Sequence, residues 1–164
     1  EEAIAVMQLL KIMEGDDKGN FNPAKAVTRN EMAVIMTKLL DLNTKDYAGS
    51  CPFTDVPAGA WYAPYVNWAL ANGIVSGTSA TTFSPDANVT RAQAVTFQWR
   101  AAGAPKAEGT NAFTDVKADA FYAEAVQWAV NAGVTAGTSD TAFSPASDCT
   151  RAQIVTFLYR AMAK

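Results

Sequence analysis

One pattern recurs three times along this chain, and it limits the possible folds more than any average of composition does. Thr28-Arg29-Asn30-Glu31, Thr90-Arg91-Ala92-Gln93 and Thr150-Arg151-Ala152-Gln153 each follow a Phe-x-Pro (Phe21/Pro23, Phe83/Pro85, Phe143/Pro145) at one offset and open an apolar run. Superposing the Thr-Arg pairs gives spacings of 62 and 60 residues, and the match spreads to both sides, bringing Gly15, Gly77 and Gly137 into register. One such unit cannot bury its own apolar faces and must pack on its siblings. The frame divides 1–164 into a single domain of three repeats: a partial first repeat at 1–42, then 43–104 and 105–164. The chain starts partway through the pattern and reads as a piece of a larger protein.

Each repeat resolves into two helices. The first is expected over 61–72 and 121–132, where Tyr62, Tyr65, Val66, Ala69 and Leu70, and their counterparts Tyr122, Ala125, Val126, Ala129 and Val130, recur at helical spacing. Gly73 and Gly133 follow as left-handed stops. Repeat one has Lys11 in that slot, so its helix is expected to end differently. A tight connector, 74–79, is too short for a sheet but has room for isolated β-bridges. The second helix is expected over 29–41, 91–102 and 151–163. Thr-x-x-Glu/Gln before an apolar run is a capping box, and Val27, Val89 and Cys149 face Met32, Ala94 and Ile154 at hydrophobic-staple spacing. Linkers rich in small and polar residues, 43–52 and 103–112, separate the units. The expected architecture is all-α: six helices in three pairs, with little or no sheet.

The capping box explains the Thr and the Glu or Gln but not the Arg. A cation in the first turn opposes the helix dipole, at a cost of about 0.3–1 kcal/mol. Three cations at three helix N-termini, each beside free backbone amides, suggest three anion sites. The alternative is that each Arg pairs with a carboxylate of the neighbouring repeat, and the two roles can coexist. On the first reading Arg29, Arg91 and Arg151 matter more for ligand than for folding. Arg91, flanked by complete repeats, would then be the strongest site. Asp55 and Asp115, in matching Phe-Thr-Asp-Val segments, are turn or cap formers, or partners of an Arg across a repeat boundary.

Composition excludes several functions. A net charge of −3 and a pI near 4.9 argue against nucleic acid as a partner. No apolar run approaches the roughly 20 residues needed to span a bilayer. The chain has no His, which removes the commonest general base and metal ligand. Neither a metal nor a cofactor is expected. Asp16-Asp17-Lys18-Gly19-Asn20 has Lys18 where a calcium loop needs an oxygen ligand. Asp55 and Asp115 are pseudo-equivalent, which does not suit the two differentiated carboxylates of a glycosidase, so no catalytic residue is expected. Cys51 and Cys149 are expected as free thiols, Cys149 shielded in the staple slot.

The Phe-x-Asp-Val opening, the aromatic helix, the Gly-Ile-x-x-Gly connector, the Phe-x-Pro and the Thr-Arg-Ala-Gln helix start resemble the S-layer homology family, in order and over essentially the whole chain. The resemblance implies three helix–loop–helix repeats in pseudo-threefold arrangement around a central three-helix bundle. It also implies an extracellular, non-catalytic module on the bacterial cell wall. Such a module, expected to be monomeric in isolation, binds anionic secondary cell-wall polymers, often pyruvylated, in grooves between repeats. The motif Arg is the family's anion contact, here Arg29, Arg91 and Arg151, with Thr28, Thr90 and Thr150 beside them. By the same analogy the groove walls include Asp55, Asp115, Trp61, Gly15, Gly77 and Gly137. Gln93 and Gln153 depart from the family's usual Glu, and Phe121 stands where repeat two has Trp61. A function of another class, self-assembly into a surface array, fits the same repeats.

Overall fold

The computed structural model describes residues 1–40 and 44–162. Among the described residues six α-helices follow one another along the chain, two to a repeat: α1 Glu2–Leu9 and α2 Arg29–Leu39, α3 Ala63–Ala71 and α4 Arg91–Ala101, α5 Ala123–Asn131 and α6 Arg151–Met162. A 3-10 turn, Lys45–Tyr47, lies in the first linker. The described residues contain no sheet, so the all-α expectation holds. Positions 41 and 163, expected at helix ends, and 43, expected in the first linker, lie outside the described residues. Helices α3 and α5 begin two residues later than the pattern suggests. The chain first closes a tight turn there, with Ala63 N–H donating to Ala60 and Ala123 N–H to Ala120, at 3.1 and 3.0 Å.

All three first helices end alike, including the one expected to differ. Gly73 and Gly133 are left-handed, at φ +71° and +73°, and Lys11 takes the same conformation at φ +57°. The residue after each stop donates back over the last turn: Ile12 to Met7, Ile74 to Ala69 and Val134 to Ala129, at 3.0, 2.9 and 2.8 Å. These bonds satisfy carbonyls that helix ends leave open, enough to hold a non-glycine residue in a conformation it disfavours.

The repeats are interlocked rather than stacked. The outer helix of each packs on the inner helix of the repeat before it: α3 on α2, α5 on α4, and α1 on α6, while α2 also meets α4. The isolated bridges join the segments before the inner helices, not the connectors: Ala26 with Thr150, Thr28 with Asn88, Thr90 with Asp148. A closed triangle of backbone hydrogen bonds lies among them. Val27 N–H donates to Cys149 at 3.0 Å, Cys149 to Val89 at 3.0 Å and Val89 to Val27 at 2.8 Å. Each residue donates to one sibling and accepts from the other, which is the pseudo-threefold closure. All three side chains are fully buried there. Both thiols are free, with Cys51 half-buried, and burial pushes the Cys149 thiol up to about 12. Phe83, Phe143, Met7, Met32 and Ile154 are also fully buried, each contributing about 1.5–3 kcal/mol relative to exposure.

Candidate functional site

The repeat boundaries are built by the Phe-x-Pro loops. In each, the middle residue is left-handed: Asn22, Ser84 and Ser144 have φ of +57°, +58° and +59°. Asp55 steadies the second loop by accepting the Phe83 and Ser84 amides, both at 2.8 Å. Asp115 does the same for Phe143 and Ser144, both at 2.9 Å. Neither Asp caps a helix. Each ties two segments of its own repeat. Burial pushes these carboxyls up, but the amides and the Arg of the preceding repeat outweigh it and hold both below the ordinary 3.8.

The braced loop then docks on the start of the preceding repeat's inner helix. Arg29 and Asn30 amides donate to Ala87 and Pro85, Arg91 and Ala92 to Ser147 and Pro145, and Arg151 and Ala152 to Lys25 and Pro23, all between 2.8 and 3.0 Å. The third amide goes to the capping Thr: Glu31 N–H to Thr28, Gln93 to Thr90 and Gln153 to Thr150. The amides expected to be open for an anion are therefore occupied by protein.

The arginines also brace the docked loop. Arg29 Nε donates to the Phe83 carbonyl at 2.8 Å and Nη2 to Ser76 at 2.7 Å. Arg151 repeats this with Phe21 at 2.8 Å and Glu14 at 2.6 Å. Arg91 Nε donates to Phe143 at 2.8 Å, and its terminal nitrogens have no partner among the described residues. Each guanidinium lies over the Phe of the loop, at 4.6 Å for Arg29, 4.8 Å for Arg91 and 4.5 Å for Arg151. Arg29 and Arg91 are only 2% and 3% exposed, so they have structural work as well as any ligand role. Their hydrogen-bond partners are carbonyls of the neighbouring repeat rather than its carboxylates.

Two grooves open beside these residues. One, of about 390 Å³, is lined by Arg29, the connector Ser76–Thr78, the α4 face Gln93, Thr96, Phe97 and Arg100, and Phe121. The other, of about 430 Å³, is lined by Arg91, the connector 135–138, and the α6 residues Ala152, Gln153, Thr156, Phe157 and Arg160. Gln93, Thr96, Phe97 and Arg100, and likewise Gln153, Thr156, Phe157 and Arg160, fall at i, i+3, i+4 and i+7, one helical face. Arg100 lies nine residues after Arg91, two and a half turns, and so faces the opposite way. One helix thus gives its first Arg to one groove and its second to the other. That phase, readable from the nine-residue spacing, is the signal that would have added Arg100 and Arg160 to the candidate set. Burial, together with the Arg100 charge and against the pull of Asp55, lowers Arg29 from 12.5 to about 10. Burial alone lowers Arg100.

The remaining expected residues divide clearly. Gly77 and Gly137 lie in the groove connectors, and Gly15 holds the equivalent place beside Glu14. A Cβ on Gly77 would meet the Thr82 carbonyl at 2.5 Å and Phe53 at 2.6 Å, so only glycine fits. Thr28, Thr90 and Thr150 serve the caps, and Asp55 and Asp115 the loops. None of these five lines either groove described above. Trp61 is 65% exposed and stacks edge-on with Tyr62 and Tyr65. Its counterpart Phe121, 66% exposed, is the aromatic that reaches a groove.

Three interlocked helical repeats, with arginine-lined grooves at their boundaries, define a tandem-repeat helical module. The sequence profile of the S-layer homology domain matches residues 1–33, 52–95 and 112–155, and the chain belongs to that family of cell-surface domains. It is 39% identical over 57% of its length to the Surface-layer 125 kDa protein of Lysinibacillus sphaericus. It is 29% identical over its whole length to an amylopullulanase of Thermoanaerobacterium thermosulfurigenes, and 28% identical over 93% of it to a cellulosome-anchoring protein of Acetivibrio thermocellus. The matched region is 8%, 9% and 35% of these three proteins, so the chain is similar to a minor part of each. No helix among the described residues is long and apolar enough to cross a membrane.

Proposed function

We propose that this chain is a non-catalytic anchor that holds a larger protein on a bacterial wall by binding an acidic wall glycan in the grooves between its repeats. The observation that carries the reading is that, among the described residues, each of the two grooves is lined by two arginines and no carboxylate. Paired guanidinium charge, held in place by carbonyl bonds and phenylalanine rings, favours a carboxylate or phosphate ligand. Phe121, 66% exposed at the edge of the first groove, adds an apolar face for a sugar ring. Arg29 and Arg91 carry the anion contact in these two grooves, assisted by Arg100 and Arg160. Arg151 is the equivalent at the third boundary. Arg91, with its terminal nitrogens open, is the strongest contact. A ketal-linked carboxylate such as pyruvate meets these requirements.

The test is sedimentation of the intact chain with purified wall polymer, before and after chemical removal of its acidic substituents. Binding should fall when the acid is removed and weaken with salt, as screened charge pairs do. Equal binding to the neutral polymer would overturn the proposal.

A further inference from the structure

The capping glutamines carry a group that the caps do not use. The Thr90 amide can be met only by an oxygen, and Gln93 Oε1 accepts it at 3.0 Å. Gln153 Oε1 accepts the Thr150 amide at 2.9 Å. This fixes which end of each side-chain amide is which. Nε2 is left without a protein partner among the described residues, on side chains that line the two grooves. Glu31 makes the same cap in repeat one, accepting the Thr28 amide at 3.1 Å. Its remaining oxygen is an acceptor, and its charge supports the protonated form of Arg151. Either residue completes the box. The exchange keeps the bond to the cap amide and alters what the boundary presents to a ligand.

We infer that Gln93 and Gln153 are specificity-determining residues. Each adds an uncharged N–H donor to an arginine pair, so that these grooves select a fully ionised acidic group with a further acceptor oxygen beside it. The Glu31 boundary, partly neutralised by its own carboxylate, discriminates against the same group. A carboxylate in place of either amide would replace a donor with a like charge facing the ligand, which repels as well as failing to bond. The inference rests on the acidic-glycan reading of the grooves.

The variants are Gln93→Glu, Gln153→Glu and the reverse Glu31→Gln, with Arg100→Gln as a control for the groove itself. Glu31 shows that Glu caps this helix start, so the fold should survive, and urea unfolding checks it. Methyl glucuronide, methyl glucoside 6-phosphate and neutral methyl glucoside are titrated into the intact chain, followed by side-chain amide and guanidinium resonances. Gln93→Glu should weaken both acidic probes at its groove by about tenfold, from a lost charge-assisted bond plus repulsion, and leave the neutral probe unchanged. Gln153→Glu should do the same at its own groove, and Glu31→Gln should raise acidic-probe binding at the Arg151 boundary. If Arg100→Gln weakens the acidic probes while Gln93→Glu leaves them unchanged, the inference is wrong and the groove reading stands. If neither acidic probe binds either wild-type groove, both are wrong.

Discussion

Arg29 and Arg91 begin equivalent helices and lie over equivalent phenylalanines, at 4.6 and 4.8 Å, yet the connectors beside them hold them differently. Beside Arg29, the Ser76 carbonyl takes a second guanidinium bond. Beside Arg91, the Thr135 hydroxyl accepts the Gly137 amide at 3.1 Å, Gly137 sits at φ +88°, and Ala136 makes no bond to the arginine. Repeat two has Val75 at the Thr135 position, with no hydroxyl to offer. The two connectors thus leave Arg29 with two carbonyl bonds and Arg91 with one. Sequence equivalence does not make the two grooves chemically equal.

The largest effects should come from the connector glycines. Gly77→Ala should destabilise by about 3 kcal/mol or more, because backbone as well as Phe53 blocks the new Cβ. Gly137→Ala, with a clash at Phe113 and a positive φ, should cost a similar amount. Gly15→Ala meets its nearest atom only at 3.0 Å and should cost about 1 kcal/mol or less. Equal losses at all three positions in urea unfolding would contradict this ranking.

Arginine truncation should come next. Arg29→Ala leaves the Phe83 and Ser76 carbonyls unpaired and should cost about 2–4 kcal/mol. Arg91→Ala removes one such bond and should cost about 1–2 kcal/mol, while losing more binding to an acidic glycan. If Arg91→Ala proves the more destabilising, the contrast between the two grooves fails.

Acid should act on both loops alike. The Asp55 and Asp115 carboxyls are held below 3.8, so their contribution is present above that value and is lost as pH falls through their lower folded values. Asp55→Asn and Asp115→Asn should each reduce the loss of stability below about pH 4. Calorimetry across that range reads it, and an unchanged acid limb in both variants would remove the Asp clamps from the account.

The smallest effect sharpens the comparison most. Thr135→Val gives the third repeat the connector residue of the second. Arg91 should then gain the Ala136 carbonyl, stability should change by less than about 1 kcal/mol, and acidic-glycan affinity should fall a few-fold. Unchanged affinity would mean that the open nitrogens of Arg91 do not set binding strength.

Much of this protein is local and therefore legible in the chain alone. Helix starts are set by a Thr and a Glu or Gln three residues apart, and helix faces by periodic apolar residues. The repeat count and the all-α class follow from these, because each unit has more apolar surface than it can bury alone. The positions of Arg29, Arg91 and Arg151 at helix starts are equally visible. Their partners were not. Arg29 reaches carbonyls 47 and 54 residues away, and Arg151 reaches across 137 residues to Glu14, so only closure of the ring decides what each cation meets. The same closure fills the helix-start amides with loop carbonyls and brings Arg100 beside Arg29. A backbone carbonyl carries no sequence signature, since every residue has one. Sequence could name the donors, but the acceptors, and with them the difference between the two grooves, exist only once the three repeats have packed.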